Sequence, residues 1–137
     1  FYHKKLHLTE KVFKPIVTHR PFVIVSSPGQ LAYLRSYGFK TFDKWIDESY
    51  DDIVDDDLRI EKIVKELKKF KGVSSIELQE IYQQMLPIVE HNFHHFYNDF
   101  KKHIVNEMVL NFKTVLENAK ISSSNIYYPD AIKRLSQ

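Results

Sequence analysis

The sequence has no cysteine and only three glycines among its 137 residues. Without cysteine the chain has neither disulfides nor a cysteine-based zinc site, which fits a reducing compartment, and we expect the cytoplasm. The scarcity of glycine argues against an architecture with many tight turns. Ten phenylalanines and eight tyrosines supply bulk for a core instead, so we expect a helix-rich protein.

Neither charge nor hydropathy is concentrated along the chain. Twenty basic residues are spread among eighteen acidic ones, for a formal net charge of +2, which argues against nucleic acid as the main ligand. No apolar run approaches the roughly 20 residues needed to cross a bilayer, so we expect no membrane partner. The most informative motif begins only nine residues into the chain, and we expect these residues to be the C-terminal part of a longer protein.

The first half alternates between helical and extended patterns. Thr9 is a candidate N-cap for a helix over about residues 10–17, which Pro15 should shorten or bend. Residues 22–25 are apolar and mostly β-branched, which predicts a strand covered on both faces. A helix from Gln30 to Tyr37 and a possible second strand over 39–42 follow. This order predicts an α/β fold with a parallel sheet of few strands.

The second half reads as a helical layer. Residues 58–70 have the pattern of a surface helix with one apolar stripe, formed by Ile60, Ile63, Val64 and Leu67. From Leu78 to Ala119, large apolar residues recur every three or four positions, which predicts long helices broken or kinked near Pro87. We therefore divide the chain into an α/β portion (1–72), a helical layer (73–120), and a loop and tail (121–137).

The triplet Thr9-Glu10-Lys11 has two interpretations. An N-cap followed by an acidic residue is ordinary helix-start chemistry. Alternatively, the free amides of a helix N-terminus bind a phosphate, with Lys11 adding positive charge and Glu10 accepting hydrogen bonds from sugar hydroxyls. A nucleotide sugar carries both kinds of group.

The stretch HLTEKVFKPIVTHRPFVIVSSPG, residues 7–29, resembles the donor-binding region of glycosyltransferases of the GT-B architecture, most closely the fucosyltransferase type. The chain is also similar to a group of mostly uncharacterised phage and bacterial proteins. They share the pieces TEKxFKPI, PF followed by two Ile or Val residues, PGxLxYLR, GFKTF and IDESYD, which are present between Thr9 and Asp51.

The resemblance implies a Rossmann-like half of a GT-B enzyme that transfers a sugar from a nucleotide-diphosphate donor. By this likeness Glu10 would hold ribose or donor-sugar hydroxyls, and Lys11 would face the phosphates. An upstream half of the same protein would supply the acceptor site and the general base. The 137 residues alone would therefore be catalytically incomplete, and we assign no catalytic residue.

Three further clusters contain residue types that can form ligand sites. Ser26, Ser27 and Gly29 join the predicted strand to the next helix, where open α/β sheets bind ligands, so we add them to Thr9, Glu10 and Lys11 as candidate donor-binding residues. His91 and His95 lie one helical turn apart, but helical geometry predicts a solvent-facing set with His94. Asp55, Asp56 and Asp57 are explained by a helix start, so we expect neither metal nor cofactor.

A rival function belongs to another class. The chain could instead be a non-catalytic helical interaction module, in which Glu10 and Lys11 only begin a helix. The stripe of phenylalanines would then pack against a partner or a missing half.

Overall fold

The computed structural model describes residues 6–118, which are mostly helical. The α-helices are α1 (Glu10–Val17), α2 (Gln30–Ser36), α3 (Asp56–Lys68), α4 (Ser75–His95) and α5 (Lys101–Asn118). A 3₁₀ turn, Glu48–Asp52, precedes α3, and a π-helical segment, Phe96–Phe100, joins α4 to α5. The predicted loop and tail over 121–137 lie outside the described residues.

The predicted parallel sheet is wrong, because the part of the chain that is described contains no strand. Residues 22–25 run without regular structure, and no backbone hydrogen bond joins them to another described segment. Their side chains still bury apolar surface, since Phe22, Val23 and Ile24 pack against the core. The apolar pattern thus identified a packed segment, whereas a strand also requires a neighbour for its backbone.

The second predicted strand, residues 39–42, is also wrong, and side chains take the place of a neighbouring strand. The Asn92 side chain accepts from the Lys40 amide and donates to the Lys40 carbonyl, both at 2.8 Å. The Glu48 carboxylate accepts from the Phe42 amide at 2.8 Å. These bonds satisfy partly buried backbone groups without a sheet.

The core consists of two adjoining apolar clusters. The first core contains Leu31, Phe42, Ile46, Tyr50, Ile63, Met85 and Val89. The second core contains Ile16, Leu34, Phe39 and Phe100. Phe22 and Ile24 pack against both, so the segment predicted as a strand links the two clusters.

Helix α3 presents a different face to the core from the one that its apolar stripe predicts. Ile63 is buried, but Ile60, Val64 and Leu67 are exposed. The other buried residues of α3 are Arg59 and Glu66, which are both charged. The Arg59 side chain donates to the Ile53 carbonyl at 2.7 Å. Hydrogen bonding therefore compensates for burying the charge.

The described part of the second half is helical along α4 and α5. Ser74 begins α4 with a capping box, in which the Ser74 and Glu77 side chains each accept from the other residue's amide. Pro87 lies inside α4, which continues to His95, so a break of the helix near Pro87 is wrong. Within residues 6–118, no helix is both long and apolar enough to span a membrane.

Candidate nucleotide-sugar site

A cavity of about 390 Å³ lies between α1, the segment of residues 22–25 and the start of α2. This volume falls in the lower part of the range for small-molecule sites, roughly 300–1,000 Å³. Four of the six candidate donor-binding residues line it: Thr9, Lys11, Ser26 and Ser27. The structure therefore brings together two segments that the sequence singled out separately.

Helix α1 is fixed against the body at its C-terminal end. Ile16 is 1% exposed in the second core. The Tyr82 hydroxyl donates to the His19 carbonyl at 3.0 Å, which ties the end of α1 to α4. His19 adopts a positive φ of 50°, which β-branched residues avoid and His tolerates better. The N-terminal turn, which carries Lys11, is thus held at the cavity by contacts further along α1.

The N-terminus of α1 is open. Thr9 is the N-cap residue, as predicted, but its side chain makes no capping hydrogen bond. The amides of Val12 and Phe13 donate to the Thr9 carbonyl at 3.0 and 3.4 Å. No described residue accepts a hydrogen bond from the amides of Glu10 and Lys11. Unpaired first-turn amides and the helix dipole favour an anion at this position.

The wall of the cavity carries positive charge without a compensating carboxylate. Among its described lining residues, Lys11 is the one Lys or Arg, and none is Asp or Glu. Hydroxyl and amide side chains from Thr9, Ser26, Ser27 and Gln30 add hydrogen-bonding groups. The Gln30 side chain is 3% exposed and donates to the His7 carbonyl at 2.9 Å, which fixes the rim of the cavity.

The two remaining candidates, Glu10 and Gly29, are not among the lining residues. Glu10 is exposed on the first turn of α1. Gly29 is the N-cap of α2 with a φ of 80°, and its amide donates to the Asp51 carbonyl at 2.8 Å. Roles for both in donor binding stay predictions.

The N-terminus of α2 is already occupied by a carboxylate of the same chain. Asp51 accepts from the Leu31 amide through both oxygens at 3.0 Å and from the Ala32 amide at 3.1 Å. Asp51 is 7% exposed, so these bonds are shielded from water. A phosphate therefore has the N-terminus of α1 available, whereas that of α2 is filled.

The shared motif pieces are interlocked by a network that the sequence did not reveal. Arg35 donates to Thr41 Oγ1 at 3.1 Å and forms an ion pair with Glu48 at 2.6 Å. The Thr41 hydroxyl donates to the same Glu48 carboxylate at 2.7 Å. The PGxLxYLR, GFKTF and IDESYD pieces thus contact one another and hold α2 and the 3₁₀ turn together. The sequence showed only that these three motif pieces occur together, and it gave no sign of the contacts between them.

The prediction that the α4 histidines all face solvent is wrong for His91 and His95. Both are partly buried: His91 Nε2 donates to the Gly38 carbonyl at 3.0 Å and His95 Nε2 to the Tyr37 carbonyl at 2.6 Å. Because a carbonyl only accepts, Nε2 is the donor in both bonds, which leaves Nδ1 of each ring for any other partner. His94 is exposed, and residues 6–118 contain no cluster of three potential metal ligands.

Comparisons of the chain with protein family models, with curated proteins and with solved structures found no match.

Proposed function

We propose that the cavity beside α1 binds the diphosphate of a nucleotide-sugar donor and that the chain is part of a glycosyltransferase. One observation carries this proposal: Lys11, the open α1 N-terminus and Ser26-Ser27 meet around one cavity that no described carboxylate lines. The resemblance of residues 7–29 to donor-binding stretches implies the same role for Lys11, facing the phosphates.

In the proposed reaction the acceptor hydroxyl gives its proton to the general base, and its oxygen bonds to the anomeric carbon while the bond from that carbon to the β-phosphate oxygen breaks. The nucleoside diphosphate leaves with the bonding electron pair. The Lys11 ammonium and the amides of the first α1 turn are placed to stabilise this growing negative charge. No metal is needed for that role in the proposal.

The hydroxyl side chains that line the cavity provide hydrogen bonds for the donor. Thr9, Ser26 and Ser27 can exchange hydrogen bonds with phosphate oxygens or sugar hydroxyls, because a side-chain hydroxyl both donates and accepts. The apolar lining from residues 22–25 suits the less polar face of a sugar or base. We place the acceptor site and the general base in an upstream half of the protein, and the reaction in the cytoplasm.

Calorimetric titration of the 137-residue chain tests the proposal. We expect heat of binding from GDP- or UDP-sugars, and none from guanosine or uridine at the same concentrations. Equal binding of nucleosides and nucleotide sugars would show that the phosphates are not recognised. Absence of binding by both donor types would refute the donor site.

The alternative, a non-catalytic helical interaction module, is favoured by a different observation. Helix α5 exposes large apolar side chains beyond the core, including Met108 and Phe112. A chain that binds no nucleotide sugar but associates through α5 would fit this module.

A further inference from the structure

A second cavity, of about 380 Å³, lies where residues 6–8 meet the side of α2 and the start of α5. We call it the tyrosine pocket, because Tyr33 and Tyr37 line it. Apolar side chains form most of the rest of its wall: Leu6, Leu8, Phe13, Phe100 and Ile104. It shares one described lining residue, His7, with the cavity beside α1. The two cavities therefore adjoin but have different linings.

The aromatic wall of the tyrosine pocket is held in place by its own packing. Phe100 is 8% exposed in the second core, and its ring centroid lies 5.0 Å from that of Phe13. The Tyr37 ring packs edge-on to Phe100 at 5.7 Å, and the Tyr33 ring packs edge-on to Tyr37 at 5.1 Å. A ligand thus meets an apolar surface that is already assembled, which lowers the entropic cost of binding.

The two tyrosine hydroxyls form a hydrogen-bonded chain with a fixed direction. The Tyr37 hydroxyl donates to the Glu107 carboxylate at 3.1 Å. A phenol has one proton, so the 3.0 Å bond between the two hydroxyls is donated by Tyr33. Both protons are therefore used within the protein. What this chain leaves for a ligand are acceptor positions, on the Tyr33 oxygen and on the carboxylate.

The charge at this edge of the pocket is negative. Glu107 is exposed on α5 and forms no ion pair with a basic residue among those described. The described lining contains no Lys, Arg, Asp or Glu, and the neutral ring of His7 offers a further acceptor. A complementary ligand brings a positive charge and N–H donors, whereas an anion would meet the carboxylate.

We propose that the tyrosine pocket binds an organic amine in its ammonium form. The carbon body of the amine packs against the apolar wall, and its N–H groups donate to the Tyr33 oxygen and the Glu107 carboxylate. Both acceptors flank the Tyr37 hydroxyl, which places them within reach of one ammonium group with its several donors. The site is additional to the proposed donor site and does not depend on it, because Lys11 and Ser26-Ser27 are not part of its lining.

NMR titration of the ¹⁵N-labelled 137-residue chain at pH 7 tests the ligand class. Three probes share one phenethyl body: 2-phenylethylamine is a cation, 2-phenylethanol is neutral and 3-phenylpropionate is an anion. We expect the amine to shift the amide signals of Tyr33, Tyr37 and Ile104 but not that of Ser26. It should bind at least roughly fivefold more tightly than the alcohol, and the anion should not bind.

Two results of this titration contradict the proposal. Equal affinity for the amine and the alcohol would show that the pocket recognises only the apolar body. An amine that shifts none of the signals of the tyrosine pocket would show that the pocket is not its site. Neither result bears on nucleotide binding, which involves the cavity beside α1.

Glu107→Gln tests the role of the carboxylate, because the glutamine oxygen can still accept from Tyr37. We expect this variant to bind 2-phenylethylamine about three- to tenfold more weakly and 2-phenylethanol unchanged. Glu117→Gln is the matched control, since it removes the same charge from an exposed position about 15 Å further along α5. Equal affinity of both variants for the amine would refute the assigned role.

Tyr33→Phe tests the second acceptor while keeping the aromatic ring. Tyr33 is partly buried, and its hydroxyl bonds only to Tyr37 among the described residues. We expect this variant to bind the amine severalfold more weakly than wild type and the alcohol with little change. Wild-type affinity for the amine in Tyr33→Phe would show that the Tyr33 oxygen does not accept from the ligand, and the proposed geometry would be wrong.

Discussion

The carboxylate of Asp51 accepts hydrogen bonds from the backbone amide of Leu31 through both of its oxygens, each at 3.0 Å. Asp51 belongs to the 3₁₀ turn and Leu31 to the first turn of α2, so a residue 20 positions away supplies the cap that a local N-cap normally provides. Gly29, the actual N-cap residue, has no side chain to do so. The turn and α2 therefore stabilise each other.

We expect Asp51→Asn to lower the free energy of unfolding by about 1–3 kcal/mol, because a neutral amide offers one acceptor oxygen and loses the charge that favours a helix N-terminus. Asp52→Asn is the control, since Asp52 is adjacent and exposed. Urea unfolding followed by circular dichroism measures both variants. Equal stability of the two would show that the Asp51 cap contributes nothing.

Gly38 is required for two separable reasons. Its φ is 90°, and a Cβ at this position would lie 2.8 Å from the His95 ring. Gly72 has a similar φ of 88° but open space around it. Each Gly→Ala change should therefore cost about 1–2 kcal/mol for the left-handed backbone, and Gly38→Ala should cost more because the ring must move.

Thermal and urea unfolding of the two glycine variants measure that difference. The His95 ring is held by its 2.6 Å bond to the Tyr37 carbonyl, so its displacement also breaks a hydrogen bond. A Gly38→Ala variant no less stable than Gly72→Ala would mean that α4 does not pack against the end of α2 as closely as described.

Glu66 should make the stability of the protein depend on acidic pH. The pKa of the Glu66 carboxyl lies below its ordinary value. The main cause is the hydrogen bond from the Lys69 ammonium, at 2.5 Å, and the next is that from the Asp47 amide, at 2.9 Å. The unfolded chain therefore binds this proton at higher pH than the folded chain does. The stabilisation is complete above the unfolded pKa and is lost as pH falls through the folded one.

Urea unfolding of wild type and Glu66→Gln between pH 7 and pH 3 measures this dependence. Wild type should be more stable near neutral pH, and the gap should narrow as the pH falls below the ordinary glutamate pKa of about 4.3. Glu61 is an exposed residue on the same helix, so the free energy of unfolding of Glu61→Gln should change with pH as that of wild type does. A gap that stays constant with pH contradicts the ionic role of Glu66.

The helices were the most predictable part of the fold. The expected first helix matches α1, Glu10–Val17. Gly38 follows the second helix and has a positive φ, a conformation that favours glycine. Local signals suffice for these elements, because caps and turn residues act within a few positions. The strands failed for the opposite reason: an apolar run shows that a segment is packed, but its backbone partner is set by the rest of the fold.

The candidate site was only partly predictable. The resemblance singled out Lys11 and strand-to-helix reasoning singled out Ser26 and Ser27, and the structure places all three at one cavity. The role of Asp51 could not be predicted, because it depends on a contact between residues 20 positions apart. The burial of Glu66 could not be predicted either, because Glu66 bonds to the amide of Asp47, which lies outside α3.

Lys11 is the residue on which the proposed donor site depends most. Its matched control is Lys14, which lies on the same helix, is exposed and does not line the cavity. Loss of a hydrogen bond between charged groups costs about 1.5–3 kcal/mol, which corresponds to roughly a 10- to 150-fold loss of affinity.

The most direct measurement is therefore calorimetric titration of GDP and UDP into the wild-type chain, Lys11→Ala and Lys14→Ala. We predict that wild type and Lys14→Ala bind the preferred nucleotide with similar affinity and that Lys11→Ala binds it at least tenfold more weakly. Equal affinity of all three proteins, or binding by none of them, would contradict a diphosphate site at the N-terminus of α1.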